Sequence, residues 1–181
     1  RAPPVACQAA LGHSERVQRG GSIGPAVSVM LSPAASLCFA VAGMTSVLGR
    51  CHTFDVRADG YARSEACVSL ALSVARHMDD EGVRAISILG SCARHDGKSA
   101  SLTAPNGSAQ RLLYRSVMQR AAVSRLASIE AHGTGTALGD PIEVGATLES
   151  HEIKPGASVA LSGTKASVGH AEAAAGLVGL M

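Results

Sequence analysis

Aromatic residues make up only 2% of the 181 residues: two tyrosines, two phenylalanines and no tryptophan. A core with so few rings has to be aliphatic and closely packed. The chain also has no long lysine or arginine run and no aromatic ladder, which argues against a nucleic-acid partner. No apolar run reaches the roughly 18 residues that a membrane helix needs, so no membrane partner is expected. No Cys-x-x-Cys pair occurs. The five cysteines, Cys7, Cys38, Cys51, Cys67 and Cys92, are odd in number and widely spaced, which gives no disulfide framework. Cys51-His52 is adjacent rather than spaced for a metal, and no second ligand pair follows at zinc-site spacing, so no metal is expected. The thiols read as reduced groups in the interior of a cytoplasmic protein. The start, Arg1-Ala-Pro-Pro, is neither an initiating methionine nor a signal peptide. With an apolar helical run reaching Met181, it leads us to expect a piece of a larger protein.

What remains is small and mildly charged. Hydrophobic residues are 46%, charged residues 17%, and the net charge is +2. A chain of this length can bury about 70% of its unfolded surface, enough for one core, so residues 1–181 are read as one domain or part of one. Glycine and alanine let backbones approach closely.

Strands and helices alternate. Val5–Leu11 resembles a helix end, and Arg19–Ser22 a loop. Val27–Met30 reads as a short strand. Ser32-Pro33 supplies an N-cap and first helical position for a helix to about Ala42, stopped by Gly43. Residues 44–64 are loop-like. Val68–Val74 reads as a buried strand, and Ala85–Leu89 as a clearer one. A loop over Gly97–Gly107 leads into a helix over Gln110–Leu126, where apolar residues recur at helical spacing. Ser128–Ala131 is a short strand ending at His132. Asp140-Pro141-Ile142-Glu143 starts a helix, with Asp140 as cap and Glu143 in a capping box. Pro155-Gly156 ends that region, Ser158–Leu161 is a strand, and Ala171 onward is helical. The alternation indicates an α/β layered fold.

The chemistry concentrates on two loops. His132 stands where a strand ends, followed by Gly133-Thr134-Gly135-Thr136. Glycines there allow a ligand close to the backbone, and the threonine hydroxyls can bond an amide or a phosphate linker. A lone histidine in such a turn more often satisfies a carbonyl. The glycine-threonine loop, the helix after it and the second histidine change that balance. His170, in Lys165-Ala-Ser-Val-Gly-His170, is placed in the first turn of a helix, whose positive end disfavours imidazolium. A neutral imidazole can donate a hydrogen bond to a developing oxyanion. Lys165 adds positive charge nearby, and Glu172 either pairs with it or favours the helix start. The rival is a phosphate-binding loop at Gly133–Gly139. Its glycines miss the dinucleotide spacing, and no Gly-x-x-x-x-Gly-Lys-Ser/Thr occurs.

On these residues the chain resembles a known family. Glu130-Ala-His132-Gly-Thr-Gly-Thr-Ala-Leu-Gly-Asp-Pro-Ile-Glu143 looks like the first-histidine motif of β-ketoacyl synthases, in the form typical of modular type I polyketide synthases. Lys165–Gly176 resembles the family's lysine and second-histidine motif. Val29–Pro33, Phe54–Glu65 and Leu102–Gly107 match in the family's order.

The resemblance implies an α/β, thiolase-like layered αβαβα fold, usually homodimeric, of which this chain would be an incomplete, central fragment. It implies a decarboxylative Claisen condensation of malonyl units with an acyl thioester, both delivered by acyl carrier protein. His132 and His170 correspond to the catalytic histidines and Lys165 to the family lysine. Thr134 and Thr136 correspond to threonines that contact the carrier's phosphopantetheine arm. No cofactor is expected to bind the chain directly. The family's Thr-Ala-Cys-Ser-Ser nucleophile motif is absent, its position falling at or before Arg1. Arg94-His95-Asp96-Gly97 and Ala66-Cys67 also depart from the usual pattern, and Cys7 matches a non-catalytic position. The fragment alone is therefore expected to be inactive. A non-elongating decarboxylase or carrier-docking relative, and a nucleotide-binding module, are the alternatives.

Overall fold

The computed structural model describes residues 21–73, 86–97, 104–150 and 158–181. The readings at Val5–Leu11, Cys7 and Pro155-Gly156 lie outside the described residues, as do parts of those at Arg19–Ser22, Val68–Val74, Ala85–Leu89 and Gly97–Gly107.

Strand β1 (Gly21–Ser28) pairs antiparallel with β2 (Ala66–Ser73), with Gly21 opposite Ser73 and Ser28 opposite Ala66. The sequence pattern puts a strand only at Val27–Met30 and a loop through Ser22. The ladder to β2 recruits all eight residues of β1, because a distant partner supplies the bonds that local composition does not reveal. The β2 side chains up to Leu72 alternate between half-buried and exposed, so the strand is not buried as expected. Helix α1 (Pro33–Val41) starts as expected, with the Ala34 amide donating to the Ser32 hydroxyl at 3.3 Å. Gly43, at φ +65°, lies just beyond its end.

Ile86–Leu89 is not a strand, and among the described residues no strand pairs with it. β-branched residues favour extended backbone but cannot by themselves supply a ladder. Helix α2 (Gly107–Ala121) begins earlier and ends earlier than the apolar spacing suggests. Asn106 accepts the Ala109 amide at 3.1 Å and fixes the start. Ala122 turns left-handed at φ +54°, and the Val123 amide then donates back to the Met118 carbonyl at 3.1 Å. This closure ends the helix before Leu126.

Strands β3 (Ser128–Glu130) and β4 (Ala160–Ser162) pair in parallel, with Glu130 opposite Ser162. The Ala131 amide donates to the Ser162 carbonyl at 2.8 Å, which carries the pairing to the edge of His132. Helix α3 (Gly139–Ser150) connects the two strands and packs against α2. This is the crossover that a parallel pair requires. After β4 come a short helix α4 (Lys165–Val168), a 3-10 turn (Glu172–Ala174) and a one-turn helix α5 (Ala175–Val178). The sequence pattern shows one helix from Ala171 onward and nothing at Lys165. The 3-10 turn contacts β1 and α5 contacts β2, so this last segment leans on the other sheet.

The buried apolar set is mostly alanine: Ala131, Ala146, Ala171, Ala174 and Ala175, with Tyr61, Cys51 and Leu177 among the larger members. Many larger aliphatic side chains lie outside, including Leu31 (90% exposed), Val41 (82%) and Val47 (93%). The buried set is aliphatic as expected, but it is built mainly from alanine rather than from the larger side chains. Cys51 is buried, but Cys38 and Cys67 are exposed, so the thiols are not all interior.

Candidate active site

The two histidine loops meet. The ring centroids of His132 and His170 are 5.4 Å apart, the planes nearly perpendicular, and the Tyr61 ring centroid lies 5.0 Å from that of His170. His132 comes from the end of β3 and His170 from the turn after α4. The parallel β3–β4 pairing brings both loops to one end of that sheet.

The first loop is held by two carboxylates. Glu143 is only 6% exposed and accepts the amides of His132 (2.6 Å) and Gly133 (2.8 Å) on its two oxygens. Asp140, 4% exposed, accepts the amides of Gly135 (3.1 Å), Thr136 (3.4 Å) and Phe54 (2.9 Å). The capping roles expected of these acids are therefore corrected. Thr136 does the capping: its hydroxyl accepts the Gly139 amide at 3.1 Å and its carbonyl accepts the Asp140 amide at 3.2 Å. Turns rich in glycine expose backbone donors that must find acceptors, and the acids of the next helix turn supply them. Residues 53–60 close the other side. The Thr53 hydroxyl donates to the Gly133 carbonyl at 2.6 Å and the Gly60 amide to the Gly135 carbonyl at 2.9 Å. At Gly135, with φ +75°, an added Cβ would sit 2.6 Å from the His52 nitrogen, so only glycine fits.

These contacts remove the nucleotide-binding alternative. Four amides of the loop already point at carboxylates, and a phosphate would meet negative charge where it needs donors. Thr134 is buried, and its hydroxyl lies 3.3 Å from that of Thr136.

His170 precedes the 3-10 turn rather than lying inside a helix. Its Nδ1 accepts the Glu172 amide at 2.9 Å. In the neutral ring the proton therefore sits on Nε2, which is left to donate. Burial, with the Lys165 charge second, holds the His170 pKa at about 4, so the ring is neutral at pH 7. The helix dipole invoked from sequence is not the cause. Lys165 is buried at 6% exposure, not a surface lysine. Burial pushes its ammonium below the ordinary value, and the carboxylates of Glu143 and Glu130 oppose that fall. Glu130 accepts the Thr164 amide at 2.6 Å and the Ser162 hydroxyl at 2.9 Å, which fixes the turn leading to Lys165. Glu172 pairs with Arg63 at 2.6 Å, so the pairing with Lys165 considered from sequence is replaced.

The pH consequence has a definite sign. The folded His170 pKa is depressed, so between about 4 and 6.5 the unfolded chain binds a proton that the folded chain does not. His170 thus leaves stability intact above pH 6.5 and withdraws up to roughly 3 kcal/mol as pH falls through that window. Urea unfolding at a series of pH values measures this, and the slope in that window should flatten in His170→Gln.

Cys51 is not a nucleophile. Its sulfur accepts the Ala62 amide at 3.2 Å, and burial pushes its thiol pKa up. Among the described residues no cluster of three or more His, Cys, Asp or Glu side chains could hold a metal, and no helix is long and apolar enough to cross a membrane.

Family models match in two segments: the β-ketoacyl synthase N-terminal domain at residues 12–77 and the C-terminal domain at residues 85–181. The chain belongs to the β-ketoacyl synthase family. A mycocerosic acid synthase-like polyketide synthase of Mycobacterium tuberculosis is 38% identical over 173 residues, which cover 94% of this chain and 8% of the synthase. Mellein synthase of Phaeosphaeria nodorum is 42% identical over 161 residues, covering 86% of this chain and 9% of that protein. Among solved structures, an oxazolomycin ketosynthase domain of Streptomyces albus superposes with a TM-score of 0.91 at 28% identity, over 98% of this chain and 32% of that one. The ketosynthase from module 6 of the Bacillus subtilis bacillaene synthase gives 0.87 at 31% identity, over 98% and 33%. The chain thus spans under a tenth of these synthases and about a third of these ketosynthase chains. The thiolase-like α/β fold expected from the motifs is the fold it shares with them.

Sequence reasoning picked out both histidines, which the structure brings together, and the lysine whose charge acts on His170. It missed Arg63 and Tyr61, and it assigned Asp140 and Glu143 to the wrong task. A signal for the acids was present: two carboxylates one turn apart, directly after a loop with four or more unassigned amides.

Proposed function

We propose that this chain carries the decarboxylation half of a polyketide-type ketosynthase site. The single observation that carries the reading is the meeting of two imidazoles from separate loops, with the His170 Nε2–H left to donate. A malonyl thioester on an acyl carrier protein enters with its thioester oxygen between the rings. The bond from the carboxylate carbon to the α carbon breaks and carbon dioxide leaves. The electron pair moves onto the thioester oxygen, where two N–H donors stabilise the enolate. The enolate carbon then attacks an acyl thioester and expels the thiolate. Burial keeps the His170 ring neutral, and the positive charge of Lys165 adds to that effect. Thr134 and Thr136 would meet the phosphopantetheine arm, Thr136 with a hydroxyl already engaged as a cap acceptor. The parent domain is expected to act as a homodimer.

The condensation step needs a nucleophile to hold the acyl group, and the sequence contains no Thr-Ala-Cys-Ser-Ser motif. The 181 residues by themselves are therefore expected to form no carbon–carbon bond from labelled malonyl-carrier and acyl-carrier proteins. Product from the isolated chain would overturn the division of labour proposed here.

A further inference from the structure

The whole chain has four phenylalanine and tyrosine residues, and two of them, Phe39 and Tyr61, lie in one row with the two histidines. From α1 inward, the Phe39 ring centroid is 6.5 Å from that of Tyr61, Tyr61 is 5.0 Å from His170, and His170 is 5.4 Å from His132. Tyr61 is 8% exposed, and its ring is tilted 50° to the imidazole, at a separation where ring pairs attract beyond the area they bury. The backbone of Tyr61 is fixed independently of its side chain. Its amide donates to the Met44 carbonyl at 3.2 Å, and its carbonyl accepts the Ser46 amide at 3.0 Å. The residues just after it pair with His170 itself: the His170 amide donates to the Ala62 carbonyl at 2.7 Å, and the Ser64 amide to the His170 carbonyl at 3.1 Å.

Charge alone does not set the state of the His170 ring. Lys165 on α4 disfavours a proton there, Glu172 on the 3-10 turn favours one while paired with Arg63, and burial outweighs both. His132 faces the ring from the loop after β3. Neither β1, which contacts the 3-10 turn, nor α5 carries a charged side chain. Burial needs a covering group, and of the two rings against His170 that of Tyr61 is the closer.

We infer that Tyr61 is a positioning residue for the enolate-stabilising histidine: its ring is the wall that backs the His170 imidazole, excludes water from that side and holds the imidazole toward His132. The inference rests on the role proposed above for His170, but its mechanism is read on the ring's own titration and needs no turnover. The phenol oxygen has no part in it, so phenylalanine should serve as well as tyrosine and a small side chain should not.

The test is made in the complete ketosynthase domain labelled with isotopic histidine. Proton titration followed by nuclear magnetic resonance gives the His170 midpoint, the His170 signal being the one lost in His170→Gln. The unsubstituted domain and Tyr61→Phe should both titrate at about 4. In Tyr61→Ala water reaches the ring, which should bind a proton at least about tenfold more tightly. Carbon dioxide release from malonyl-carrier protein should fall at least about fivefold in kcat in Tyr61→Ala, with little change in KM, because the donor is no longer held in place. Tyr61→Phe should stay within about twofold of the unsubstituted domain on the same argument. Should Tyr61→Ala not fold, Tyr61→Leu, which keeps apolar volume but not the flat ring, is measured in its place, with changes expected in the same directions. An unmoved His170 midpoint in the alanine or leucine variant, or a Tyr61→Phe domain as impaired as either, overturns the inference. So does full carbon dioxide release in Tyr61→Ala where His170→Ala is slow. Unchanged release in His170→Ala would instead overturn the functional reading beneath it.

Discussion

Replacing His170 or His132 by alanine in the complete ketosynthase domain is expected to slow carbon dioxide release from malonyl-carrier protein by about 10²–10³-fold each. The magnitude follows from the loss of one preorganised donor to an oxyanion, about 3–4 kcal/mol in acyl-transfer sites. The rings are close enough, at 5.4 Å between centroids, to serve one oxygen. The two substitutions should therefore not add: once one donor is gone the enolate is misplaced, and removing the second costs less than the first. The tautomer also makes the two residues unequal in a control. His170→Ala strands the Glu172 amide and should lower the melting temperature, whereas His132 is exposed and its loss should cost little stability. Carbon dioxide release within tenfold of the unsubstituted domain would show that the rings do not carry the chemistry.

Glu143→Ala should be among the most destabilising single substitutions in the first loop. It orphans two amides, those of His132 and Gly133, for a cost of roughly 2–6 kcal/mol at about 1–3 kcal/mol for each stranded group. Glu143→Gln separates this clamp from simple helix capping. The amide side chain still offers one acceptor, but it turns an NH₂ group toward the second backbone N–H. It should therefore recover about half of the loss. Had Glu143 been a capping-box residue on an exposed helix start, alanine there would cost only about 1 kcal/mol. Urea midpoints of the two variants distinguish these cases, and a cost near the lower figure would rule out the clamp. The effect on chemistry follows from the geometry, because the same two bonds aim His132.

Features carried by residues within one or two turns of each other in sequence were the most legible. Ser32-Pro33 marked the start of α1 because a cap and a fixed φ act within one turn. The strand ending at His132 was legible for the same reason, since its alternation and the glycines after it are adjacent. Asp140 and Glu143 were visible as acids at a helix start, but their partners were not. A carboxylate at that position can cap its own helix or bond a neighbouring loop, and only the path of the loop decides. Ile86–Leu89 erred in the opposite direction, being rich in β-branched residues with no strand beside it among the described residues.

The order of residues alone pointed to one kind of carbonyl chemistry for two histidine-bearing loops and a lysine, because each motif is contiguous and its residue types leave few other uses. Tertiary structure alone decided which nitrogen of His170 donates, why that ring is neutral, and which cation holds Glu172. Those properties come from burial and from partners far along the chain; Arg63 lies 109 residues from the carboxylate it binds. Hydrogen bonding and desolvation act through space over a few ångströms, so no sequence pattern short enough to read locally can encode them.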